Sequence, residues 1–112
     1  DLELHFAKGN IFENLVISEL NKNAINNATK SKFYFWRDSL QNEVDVIIET
    51  GLKIDAVEIK SGKTINQNFF KGLDYFKKLR TEAKLHLIYG GTENQERTNY
   101  KISSIFSLPN FK

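Results

Sequence analysis

Apolar positions along the chain change their spacing more than once. From Asn10 to about Asn23, Phe12, Val16, Ile17, Leu20 and Ala24 fall on one arc of a helical wheel, the period of an amphipathic helix. Gly9-Asn10 supplies a stop and an N-cap, and Glu13 follows in capping-box spacing while falling inside the apolar arc beside Leu20. Asn21 to Lys32, rich in Asn, Lys, Ser and Thr, reads as helix end and loop. Three strand-like runs follow: Phe33 to Arg37, Glu43 to Glu49 and Ile54 to Lys60. Asn66 can cap a second helix, in which Phe69, Phe70, Leu73, Phe76 and Leu79 form a core stripe despite Gly72. Leu85 to Tyr89 is a fourth strand closed by Gly90-Gly91, and Ile102 to Phe106 is expected as a last edge strand before Pro109. The order α-β-β-β-α-β predicts an α/β domain.

At 112 residues the chain suits one domain spanning 1–112 with a modest core. It starts at Asp1 and has no methionine, so it is expected to be a fragment of a longer protein. With no cysteine, any metal must be held by oxygen or imidazole, and the composition fits a reducing, cytoplasmic setting. No run approaches the roughly 20 apolar residues that span a bilayer, so no membrane association is expected. Net charge is only +2, yet residues 1–56 hold six basic and nine acidic side chains, and residues 57–112 hold ten and five. A basic half beside an acidic cluster suits a metal site facing a polyanion, although lysines of this kind are also common on a solvated surface.

The candidate chemistry lies in the hairpin around Gly51. A Gly51-Leu52 loop has the Gly-first form of a type II′ turn, which sets Thr50 opposite Lys53, Glu49 opposite Ile54, Ile47 opposite Ala56, Asp45 opposite Glu58 and Glu43 opposite Lys60. Side-chain alternation then assigns Val44, Val46, Ile48, Val57 and Ile59 to a core face, and Glu43, Asp45, Ile47, Ala56, Glu58 and Lys60 to the other. Two carboxylates with Cβ atoms about 5 Å apart repel unless a cation or proton lies between them. A hard divalent cation suits them. Asp45 and Glu58 are thus candidate ligands for Mg²⁺, with Mn²⁺ as an alternative. The Ile59 carbonyl is a further ligand, Lys60 a group to position or deprotonate water, and Glu13 an additional carboxylate from the helix.

The segments Gly9-Asn10-Ile11-Phe12-Glu13-Asn14-Leu15-Val16, Arg37 ahead of Glu43-Val44-Asp45, and Val57-Glu58-Ile59-Lys60-Ser61-Gly62 together resemble the PD-(D/E)xK nuclease superfamily. More narrowly, the chain looks like the C-terminal domain of unknown function that follows AAA-type ATPase modules in many bacterial and archaeal proteins. The resemblance runs from about Gly9 to Leu87. It implies a restriction-endonuclease-like core with a mixed central sheet flanked by helices, and hydrolysis of DNA phosphodiester bonds. Asp45 and Glu58 would bind Mg²⁺, Lys60 would assist hydrolysis, and Glu13 would stand at the position of the helix acid. An ATPase module in the same natural chain and a homodimer are the partners it implies. The sequence departs from the pattern in having no Pro before Asp45 and no Gln after Lys60. The alternative is a catalytically silent module of the same fold that binds nucleic acid or protein.

Bland readings stand beside each of these. Asp45, Glu58 and Lys60 could form a surface ion-pair cluster, although metal binding is preferred, and Glu13 could serve as a capping residue. Arg37, Lys63 and Lys71 are candidate nucleic-acid contacts, but Arg37 fits an ion pair with Asp38 or Glu43, and lysines on a helix usually face solvent. Glu43 could neutralise Lys60. His5 and His86 have no second ligand at metal spacing, and His86 reads as packed in an apolar strand. Trp36 and Phe33-Tyr34-Phe35 read as core and edge packing, with base stacking as the minor alternative.

Overall fold

A computed structural model of the protein describes residues 11–26 and 30–108; the expected Asn10 cap and His5 lie outside them. Helix α1 covers Ile11–Asn26 and runs past the expected end at Asn23. Asn21 to Asn26 contains no Gly or Pro, and polar composition alone does not stop a helix. The strands are β1 (Lys32–Arg37), β2 (Glu43–Thr50), β3 (Lys53–Lys60) and β4 (Lys84–Tyr89). Valine and isoleucine dominate β2 and β3, where branched side chains pack well on a pleated surface. A 3-10 turn at Gln67–Phe70 leads into α2 (Lys71–Leu79). Asn66 caps this turn as expected, its side chain accepting from Asn68 N–H.

The strands join in one six-stranded mixed sheet of order β1-β2-β3-β4-β6-β5, where β5 is Gln95–Glu96 and β6 is Lys101–Ser104. β1, β2 and β3 run antiparallel, whereas β3, β4 and β6 are parallel. The expected last edge strand is therefore interior. β6 lies between β4 and β5, and the two-residue β5 forms the edge, a length that offers little to a foreign strand.

One helix covers each face. α1 packs Val16, Ile17 and Leu20 over Val46, Ile48, Val57, Ile59 and Ile88. α2 packs Phe70, Leu73 and Phe76 over Val44, Ile47, Ala56, Leu85, Leu87 and Tyr89. Leu79, expected in the stripe, is 65% exposed at the last turn of α2. Trp36 packs edge-on against Phe76 at 5.3 Å between ring centroids, in line with its reading as core. Gly72 is required by contact rather than by conformation: a Cβ there would lie 1.8 Å from the Glu43 carbonyl oxygen. Its absence lets α2 settle directly on the start of β2.

Candidate metal centre at a strand fork

The β2–β3 hairpin closes at Gly51, whose φ of 63° suits the first position of a type II′ turn. Its ladder follows the expected register from Thr50↔Lys53 through Ile47↔Ala56 to Val46↔Val57. There it stops, so the expected ladder partners Asp45 and Glu58, and Glu43 and Lys60, do not form.

Pairing with β1 supplies the reason. Tyr34 faces Ile47 but Trp36 faces Val44, so β2 carries one extra residue between these pairs, a β-bulge at Asp45-Val46. The bulge moves Val44 to the α2 face, beside Ile47, instead of the α1 face that simple alternation assigns to it. Beyond Val46 and Val57 the strands fork: β2 stays with β1, while β3 continues along β4 through Lys60↔Tyr89.

Side chains replace the ladder inside the fork. Ile59 N–H donates to Asp45 Oδ2 at 2.7 Å, and Asp45 N–H donates to Glu58 Oε1 at 3.2 Å. The two carboxyl groups also act on each other directly, which raises Asp45 and lowers Glu58. Both residues are buried, each 7% exposed. Burial, the adjacent Glu58 charge and the Glu58 hydrogen bond hold Asp45 well above the usual carboxylate range. Burial also raises Glu58, against the lowering effects of the Asp45 hydrogen bond and the Lys60 charge. Glu13 adds negative potential to both from α1.

Lys60 Nζ lies 3.6 Å from Glu58 Oε2 and 5.8 Å from the Phe69 ring centroid, which leaves it partly exposed at the mouth of the fork. In an extended strand the N–H and C=O of one residue point to the same edge. The Ile59 carbonyl therefore faces the side on which Asp45 meets Ile59 N–H. Among the described residues no group of three or more His, Cys, Asp and Glu side chains gathers in metal-ligating geometry. The core of the centre is thus the Asp45–Glu58 pair, and Glu13 acts on it as a nearby charge.

The three candidate cations lie on segments next in the chain or sheet to those that carry this centre. Arg37 sits opposite Glu43 across β1 and β2 and pairs with it at 3.6 Å, with both side chains about half exposed. Glu43 is thereby taken by Arg37 rather than by Lys60. Lys71 is exposed and precedes Gly72, whose backbone meets Glu43. Lys63 is exposed just beyond β3.

Two further features were not read from the sequence. The turn before β2 is built by Asp38, which accepts from Leu40 N–H, Asn42 N–H and the Asn42 side chain, each at 2.9 Å. The Asn42 side-chain hydrogen bond leads in holding Asp38 below its ordinary value. Second, His86 Nε2 lies 2.7 Å from Asp55 Oδ1, and Lys53 Nζ is 3.6 Å from Asp55 Oδ2. His86 was correctly read as packed, but its carboxylate partner is 31 positions away and comes beside it only through β3–β4 pairing.

These features define the class: an α/β domain with a six-stranded mixed sheet, a helix on each face and a buried carboxylate pair in a strand fork. A family described as a domain of unknown function (DUF4143) matches residues 8–111, and the chain belongs to it. No curated protein and no solved structure gives a significant match. Among the described residues no helix is long and apolar enough to cross a membrane.

Proposed function

We propose that the domain is a Mg²⁺-dependent DNA nuclease of the PD-(D/E)xK type with a restriction-endonuclease-like core, working behind an AAA-type ATPase module. The observation that carries this reading is the buried Asp45–Glu58 pair, held together in a fork where the backbone ladder has been given up. Two buried carboxylates in contact are costly unless a proton or cation is shared between them. The donor set fits a hard divalent ion: two carboxylates converge, the Ile59 carbonyl is turned to the same edge, and no sulfur is present.

Asp45 and Glu58 would hold the ion, with the Ile59 carbonyl as a third oxygen. When bound, Mg²⁺ supplies polarisation of the phosphate and acidification of water. Lys60, partly exposed beside Glu58, positions the attacking water and offsets charge on the phosphate. Arg37, Lys63 and Lys71 supply sequence-independent contacts to the flanking phosphates.

The test is calorimetric titration of Mg²⁺ and Mn²⁺ into the wild type and Asp45→Ala, followed by cleavage of plasmid and branched DNA in the same buffer. Metal binding lost in the variant, together with metal-dependent cleavage, is the expected result. Binding without cleavage favours a silent module of the same fold, and no binding at millimolar metal removes the site.

A further inference from the structure

Outside the carboxyl ends of the parallel strands β3, β4 and β6 lies a crevice of about 570 Å³, lined among others by Lys63, Thr64, Ile65, Tyr89, Thr92, Phe106 and one acid, Glu93. Open α/β sheets place ligand crevices at this end of their strands, and the volume is within the range of small-ligand pockets. It opens on the same face of the sheet as the fork. Tyr89 and Ile65 belong to the α2-side core, and Lys60 projects to that side over Phe69. Tyr89 is also the direct strand partner of Lys60. Glu58 and Lys60 are separated by about 7 Å of strand rise, a length that one or two nucleotides of a single strand cover.

Close backbone contacts build the crevice floor. Gly90 N–H donates to Gly62 O at 3.0 Å, and a Cβ on Gly90 would lie 2.1 Å from the Ser61 carbonyl oxygen. A Cβ on Gly91 would lie 2.3 Å from the Tyr89 ring. Tyr89 Oη donates to Glu93 O at 2.9 Å, which fastens the ring in the wall. Beside this fixed floor Phe106 is 79% exposed, and Lys63, Thr64 and Thr92 share the lining with it. An aromatic face, hydroxyls able to meet a base edge, and a lysine suited to phosphate are complementary to a single nucleotide whose base lies outside a stack. A base paired within a duplex has both faces covered and cannot use such a wall.

We propose that this crevice holds an unpaired nucleobase of the strand whose phosphate meets Asp45, Glu58 and Lys60, so that the domain acts on single-stranded or unpaired DNA. The inference rests on the nuclease reading of the fork and names its substrate class. Fluorescence anisotropy of a labelled single-stranded oligonucleotide and of the same sequence as a duplex tests it, in EDTA so that nothing is cut. The proteins are the wild type, Phe106→Ala, Thr92→Trp to fill the crevice, and Lys63→Ala. Single strand is expected to bind roughly ten-fold tighter than duplex. Phe106→Ala and Thr92→Trp each weaken the single strand by about five-fold or more and leave the duplex within about two-fold. Lys63→Ala weakens both forms alike.

Equal or tighter duplex binding, or indifference to both crevice variants, overturns the inference. So does a dimer that Phe106→Ala converts to monomer with DNA binding unchanged, because Phe106 would then serve self-association. The two readings fail separately. Metal-dependent cutting of duplex without crevice sensitivity removes the crevice and keeps the nuclease. A Phe106-dependent preference for single strand, in a protein that neither binds metal nor cuts, removes the nuclease and keeps the crevice as a nucleic-acid site.

Discussion

Asp55 and Glu58 lie on the same strand, three residues apart, and both are buried, yet they meet opposite company. The odd spacing turns them to opposite faces of the sheet. Asp55, flanked by Ile54 and Ala56 of the α2-side core, points to the α1 side, where it meets His86 and Lys53. Glu58 points to the α2 side, where it meets another carboxyl group and one partly exposed lysine. The first cluster sets its carboxylate against a histidine and a lysine of the same fold. The second sets acid against acid where the ladder has opened, and burial raises both. Burial of an acid is therefore a poor guide to function by itself; the sign of its neighbours separates a structural pair from a candidate metal centre.

The largest effect is expected from breaking the Asp55 cluster. Asp55→Ala leaves His86 and Lys53 without the buried carboxylate and should cost roughly 3–5 kcal/mol, read as a lowered urea midpoint at unchanged slope. A midpoint that barely moves would erase the contrast between the two clusters. Next comes Gly72→Ala, which drives a Cβ into the Glu43 carbonyl beside the fork and should cost about 2 kcal/mol. Such a variant should also weaken Mg²⁺ binding, since β2 must shift where it carries Asp45.

The Asp45–Glu58 pair should respond in the opposite direction. Asn at position 45 can still accept from Ile59 N–H and donate to Glu58, without requiring a proton. Because the Asp45 carboxyl is raised in the folded state, the native protein binds more protons than the unfolded chain above the unfolded value of about 3.9. Stability is therefore full below that value and falls as pH rises through the folded one. Asp45→Asn should raise the melting temperature at neutral pH by about 4 °C, the effect of roughly 1 kcal/mol in a domain of this size. The gain should vanish near pH 4. Saturating Mg²⁺ should raise the wild-type melting temperature at neutral pH and have little effect on this variant.

The smallest stability effect belongs to Lys60. Its side chain is 39% exposed, so solvent screens its ion pair with Glu58, and Lys60→Met should cost less than about 1 kcal/mol. The same change should abolish the proposed metal-dependent cleavage, which would set a chemical role apart from the structural one.

Much of the architecture was legible because it follows from local rules. Gly51-Leu52 dictates a Gly-first turn, and the turn dictates the register as far as Val46↔Val57. Period-two runs of Val and Ile mark the strands, and Asn66 with the Phe70, Leu73 and Phe76 spacing marks the second helix. Extended past Val46, that register brings Asp45, Glu58 and Lys60 to one neighbourhood, although the structure joins them through the fork and not through the ladder. Strict alternation could not reveal the bulge at Asp45-Val46, because a bulge depends on the neighbouring strand β1 rather than on a residue type in β2. It put Val44 on the other face and exchanged the expected cross-strand pairs for a fork.

By itself, the sequence determined the elements, the hairpin and the acids and lysine it carries, since these depend on propensity, periodicity and turn chemistry over a few residues. Tertiary structure alone decided that the hairpin ladder ends at Val46, that β6 is interior, that Gly72 admits the Glu43 backbone and that Asp55 finds His86. Each of these is a contact between segments far apart in the chain. Such contacts are set by which strands and helices pack side by side, and no local pattern of residues encodes that choice.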